Sequence, residues 1–175
     1  MAAIDVHMLV MPSNRADWRE QALASIVDAA NRVDSAIELH LAPAVPGHMG
    51  KARAAAYALG DAPLVTFVDE DDWLEPDAFV AVLAALDGRV GNVLTAGRVH
   101  HLATGQSTLT ARGLLVVKRE LALAFPWDDY PLCGTCDLRD AVRPDLLSVA
   151  VYNRRDHQSS GRALFASQGA STCRG

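Results

Sequence analysis

Three cysteines in 175 residues are too few, and odd in number, for a disulfide framework, which excludes a small domain stapled by bridges. No apolar stretch approaches the roughly 20 residues that span a bilayer. Ile4–Met11 is too short for a signal peptide, is interrupted by Asp5 and His7, and lacks a basic start. The expected location is therefore the cytoplasm. Basic blocks are missing as well. Lys and Arg total 16 against 21 Asp and Glu, the net charge is −5, and no stripe interleaves basic with aromatic residues. That excludes a protein that grips duplex nucleic acid. No internal repeat and no second domain are visible.

Half of the residues are hydrophobic and 21% are charged, the composition of a globular chain long enough for one real core. Residues 5–11 read as a buried strand, 12–15 as a turn, and Asp17 with Glu20 as the capping box of the next helix. Residues 36–41 read as a second strand. An Ala-rich helix over 49–59 ends at Gly60. Leu64–Val68 is a third apolar strand, and Pro76 suits the first turn of a helix to Leu86. This strand–helix alternation predicts an α/β domain with a Rossmann-like, mostly parallel sheet flanked by helices. The second half reads as a smaller mixed or antiparallel part, with strands over 93–102, 107–112, 114–117 and 146–152. Short helices are expected near 120–125 and 136–142. The expected domain covers residues 1–160, and 161–175, rich in Ser, Gly, Ala and Arg, reads as a mobile tail.

The third strand runs straight into Asp69-Glu70-Asp71-Asp72. Ligands of parallel sheets bind beyond the carboxyl ends of the strands, and carboxylates crowded there repel one another unless a cation joins them. Asp69, Asp71 and Asp72 are hard oxygen donors suited to Mg²⁺ or Mn²⁺, with one or two on the metal and diphosphate or water completing the shell. Glu75 and Asp77 fit the simpler role of helix-start acids favoured by the dipole. Gly47-x-x-Gly50-Lys51 is too short for a Walker loop and has no hydroxyl after the lysine. Cys133 and Cys136 have redox or zinc half-site spacing, without the strand or further ligands either would need.

The segment Phe67–Pro76 resembles the Asp-x-Asp region of family-2 glycosyltransferases, which have the GT-A fold. Other segments agree in order. Met11–Arg15 resembles the first strand-to-helix turn, Gly50–Arg53 the helix before the acidic strand, and Val151–Ser160 the late strand ending in Tyr, Arg and His. The resemblance spans about residues 4–160.

It implies a metal-dependent, inverting transfer of a sugar from a nucleotide-diphosphate donor to a hydroxyl acceptor. Pro12, Asn14, Arg15, Arg53, Asp69 and Asp71 would contact the donor. Asp71, Asp72 and His157 would serve the metal, with Asp72 or Asp71 as its direct ligand. Arg53 or Lys51 would add charge at the diphosphate or brace the acidic cluster. Asp137 is the best match for the base that deprotonates the acceptor, with Asp128 and Asp129 as competitors. His100 and His101 lie in a strand expected to face the acceptor. The family's base-reading acid after the second strand has no counterpart in Leu39–Pro46, so the donor's nucleotide is unassigned. That departure motivates one rival, a GT-A-like module that only binds nucleotide sugar or glycan. A nucleotidyltransferase on a related sheet is the other.

Overall fold

The structure, a computed structural model, describes residues 3–11, 16–45, 47–130 and 134–156. Pro12, Asn14, Arg15, Cys133, His157 and the 161–175 tail lie outside the described residues.

The first half alternates as its pattern predicts: β1 (Ile4–Val10), α1 (Ala16–Ala30), β2 (Ile37–Pro43), α2 (Met49–Tyr57), β3 (Leu64–Phe67), β4 (Trp73–Leu74) and α3 (Ala78–Leu86). Then come β5 (Val93–His101), β6 (Gln106–Thr110), β7 (Leu115–Lys118), α4 (Arg119–Ala124), a 3-10 turn (Trp127–Asp129), α5 (Thr135–Val142) and β8 (Asp145–Asp156). The eight strands form one sheet in the order β2-β1-β3-β7-β5-β8-β4, with β6 also on β5. β2, β1 and β3 are mutually parallel, β7 runs against β3 and β5, and β8 is parallel to β5. The result is a mostly parallel sheet with helices on both faces.

Strand alternation explains the two cores. Ile4, Val6 and Met8 of β1 face α1 and α3, where they pack with Ala22, Ile26, Phe79 and Val82. Leu9 faces the opposite layer, with Ala52, Ala56, Tyr57, Phe67, Trp127 and Leu138. Each large apolar side chain so buried contributes about 1.5–3 kcal/mol. Gly50 lets α2 approach the 3-10 turn. A Cβ there would lie 2.0 Å from the Trp127 carbonyl oxygen.

Three local expectations change. Asp17 lies inside the first turn of α1 rather than capping it. α3 starts at Ala78, because the segment after the acidic run first forms β4, paired antiparallel with β8 at Trp73–Asn153 and Leu74–Tyr152. β8 continues to Asp156, four residues beyond the expected end. Its pairing with β5 shifts register around Thr95, Ala96 and Gly97, an irregularity that re-aims the last residues of both strands. None of the described helices is long and apolar enough to cross a membrane.

Candidate active site

The acidic run leaves the carboxyl end of β3, and each acid meets a different environment. Asp72 is buried, 3% exposed, and both its oxygens have protein donors. The Tyr152 hydroxyl donates to Oδ2 at 2.8 Å, and the Arg155 backbone N–H donates to Oδ1 at 3.2 Å. Arg154 Nε lies 3.8 Å from Oδ2. Burial, and then the charges of Asp69 and Asp71, push the Asp72 carboxyl well above the usual carboxylate range, against the pull of Tyr152 and Arg154. Tyr152 is pushed up in turn by its burial and by Asp72 and Asp69. The Tyr152 oxygen also accepts from the Asp69 N–H at 3.3 Å, so one phenol holds both ends of the run.

Asp69 is the open acid. Its side chain is 49% exposed, and Arg53 of α2 approaches Oδ1 at 3.1 Å. Arg53 is itself buried, its guanidinium 4.2 Å from the centroid of Phe67, so the strand's last apolar residue seats the cation that braces its first acid. Lys51, the other candidate cation, is exposed on α2. Glu70 turns back toward β1, where Oε2 accepts from the Met11 N–H at 3.2 Å and from Arg19 Nε at 3.1 Å. The run is thereby tied to the start of the turn after β1.

Arg155 fixes Asp71 through the backbone. Its guanidinium donates to the Asp71 carbonyl and to Gln21 of α1, and lies 4.8 Å from the Trp18 ring centroid and 4.6 Å from that of Trp73. Glu75 is not a simple helix-start acid. It accepts from Arg98 Nη1 at 2.9 Å and from Asn153 Nδ2 at 3.1 Å, cross-linking β5 and β8. Asp77 does sit before α3, without a side-chain cap, and pairs with Arg32 on the surface.

The structure thus joins Arg53, Asp69, Asp71 and Asp72 at one strand end, and Tyr152, Arg154 and Arg155 answer them from β8. Asp137 is exposed in the first turn of α5, on the α2 side of the sheet, and Asp128 and Asp129 are exposed in the 3-10 turn. Sequence reasoning missed the braces formed by Glu70 and Glu75 and the stacked Arg155. The available signal was the alternation in β8, which puts Tyr152 and Arg154 on one face and Asn153 and Arg155 on the other.

Among the described residues, the one group of three His, Cys, Asp or Glu side chains whose donor atoms converge as metal ligands lies elsewhere. It comprises Asp5, Glu38 and His40, near the amino ends of β1 and β2. There Asp5 already pairs with Arg119 and lies 3.2 Å from His40 Nε2. At the acidic run no three side-chain donors of the described residues converge. Among the described residues, Asp69 and Asp71 are the more exposed acids that could hold a divalent ion there, with a ligand's oxygens completing its shell.

No family model matches the chain, and no curated protein matches it. Solved structures do. S. aureus TarS superposes with a TM-score of 0.63 at 14% identity, over 90% of this chain and 37% of TarS. The TarS 1-349 complex with UDP-GlcNAc gives 0.62 at 13% identity, over 93% of this chain and 61% of that one. The chain therefore spans between about a third and two thirds of the TarS chains it matches. The 4-diphosphocytidyl-2C-methyl-D-erythritol synthase of Anaerococcus prevotii gives 0.51 at 11% identity, over 86% and 89%. At these identities the likeness concerns architecture, and the chain has a GT-A-like α/β fold.

Proposed function

We propose that the protein is a glycosyltransferase that takes a sugar from a nucleotide-diphosphate donor to a hydroxyl acceptor, with inversion and with Mn²⁺ or Mg²⁺. The observation that carries this reading is the acidic run at the carboxyl end of β3, with its inner acid locked and its outer acids presented. Asp72 is held by Tyr152 and Arg155, whereas Asp69 stays half open beside Arg53. The TarS complexes with UDP and UDP-GlcNAc, on the same fold, support a nucleotide-sugar ligand.

In this reading Asp69 and Asp71 face the donor. Asp71, with Asp72 and His157, would hold a divalent ion, whose charge would serve to neutralise the leaving diphosphate. Arg53 holds Asp69 in place. Tyr152 fixes the spacing of Asp69 and Asp72, so the acids do not move as charge develops. Pro12, Asn14 and Arg15 follow Met11, whose N–H is bound by Glu70, and would meet the nucleotide. Asp137 is the first candidate for the acceptor's base.

The test is thermal shift with UDP, GDP, TDP and CDP, each with and without Mn²⁺. Binding at about 100 times Kd stabilises by about 2.7 kcal/mol. Stabilisation by one nucleotide, strengthened by the metal and weakened in Asp71→Asn, is the expected result. No metal-dependent shift with any of the four removes the reading. The likeness to the 4-diphosphocytidyl-2C-methyl-D-erythritol synthase favours one second reading, a nucleotidyltransferase. Pyrophosphate release from a nucleoside triphosphate and a sugar phosphate, without turnover of sugar nucleotides, would select it.

A further inference from the structure

β5 ends in two histidines that point to opposite faces of the sheet. His100 is stacked on Trp73, with ring centroids 4.7 Å apart, and is bonded on both nitrogens, to Asn153 at 2.9 Å and Ser107 at 2.7 Å. His101 faces the other way. Its Nδ1 lies 2.8 Å from Asp156 Oδ2 on β8, and its Nε2 lies 3.1 Å from Thr108 Oγ1 on β6. His101 pairs with Asp156 in the β5–β8 ladder, as Val99 does with Arg154 and Gly97 with Tyr152. Residues so paired share a face, so His101 lies on the face that sends Tyr152 and Arg154 to Asp72. Asp156 is also one residue, ~3.8 Å along the backbone, from Arg155, whose N–H binds Asp72.

The chemistry of the dyad follows from its partners. A carboxylate only accepts, so Asp156 fixes the proton on Nδ1. In the neutral ring Nε2 then carries the lone pair, and the Thr108 hydroxyl, 3.1 Å away, is placed to donate to it. The histidine side chain is 34% exposed and that of Asp156 is 60% exposed, so another hydroxyl can reach Nε2. An imidazole oriented by a carboxylate and mounted on a strand, its Nε2 reached by an acceptor hydroxyl that takes the place of Thr108, is suited to general-base work.

We propose that His101, oriented by Asp156, is the base that deprotonates the acceptor hydroxyl, with Thr108 marking the position that hydroxyl takes. This rests on the transferase reading above and replaces Asp137 as its base. The acceptor's proton passes to His101 Nε2 and its oxygen bonds to the anomeric carbon. The bond from that carbon to the diphosphate oxygen breaks, and the electron pair leaves with the diphosphate.

Water serves as the acceptor in the test. Release of nucleoside diphosphate is followed with the UDP-, GDP-, TDP- or CDP-sugar whose nucleotide stabilises the protein, in Mn²⁺. His101→Gln should lose about 100-fold or more in turnover while keeping the nucleotide-induced thermal shift, and Asp156→Asn should follow it. Added imidazole should restore part of the turnover of His101→Ala, which a structural role would not permit. Nitrogen-15 NMR of the wild-type protein should show His101 as the Nδ1–H tautomer. Turnover unchanged in His101→Gln, or a neutral Nε2–H tautomer, overturns the proposal and leaves the transferase reading standing. No turnover of any of the four sugar nucleotides by the wild-type protein overturns both.

Discussion

His7 is fully buried in β1, and neither ring nitrogen has a hydrogen-bond partner among the described residues. It lies among rings, stacked on His40 at 5.2 Å and edge-on to Tyr57 at 5.3 Å. Burial, and then the charges of His40 and Arg119, lower its pKa from 6.5 to about 4. The unfolded chain therefore takes up a proton between those values that the native protein refuses. Stability is complete above pH 6.5 and falls as pH drops toward 4, by about 3 kcal/mol from this residue. Urea denaturation across that range checks it. His7→Phe, which removes both orphaned nitrogens and keeps the ring, should be as stable as wild type at pH 7 and lose less on acidification. An equal acid loss in both proteins would place the sensitivity elsewhere. Arg155 is the second informative residue. Arg155→Lys keeps the charge but removes the plate between Trp18 and Trp73, and should lower stability by about 1–2 kcal/mol in denaturant melts.

At the scale of elements, α2 is held by a close approach rather than by a cap. Its first turn begins without a side-chain cap, and Gly50 sits against the carbonyls of Trp127 and Tyr130. Gly50→Ala should cost about 3 kcal/mol and displace Arg53 from Asp69, which weaker nucleotide-induced stabilisation would register. A variant as stable as wild type would show that the 3-10 turn yields easily. The elements themselves were legible because β1 and β3 are apolar runs bounded by polar turns, and α2 is Ala-rich and followed by Gly60. β4 was not, since two residues carry no period. Glu75 was misread for a related reason. Before Pro76 it has the local pattern of a helix-start acid, while its partners Arg98 and Asn153 lie 23 and 78 residues away. The same distance hid the arginines. Charge crowding along the run was visible in the sequence, but which cations answer it depends on pairing between strands far apart in the chain.

At the scale of the molecule, the sheet divides the labour between the two halves of the sequence. The first half supplies the acids after β3 and holds Asp69 and Glu70 through Arg53, Met11 and Arg19, whereas β8 supplies the partners of Asp72. Tyr152 and Arg155 reach back across 80 and 83 residues to Asp72. Contacts of such long separation form late in folding, because loop closure comes before any reward. A chain ending at Pro144 should therefore keep helical structure by circular dichroism yet show no nucleotide-induced stabilisation. Undiminished stabilisation in that truncation would mean the acids organise themselves. During synthesis the ribosome releases the amino end first, so the acidic run emerges long before the strand that sets it. The partners of Asp72 then arrive only with β8, so a nascent chain that stops short of it leaves that buried acid unheld.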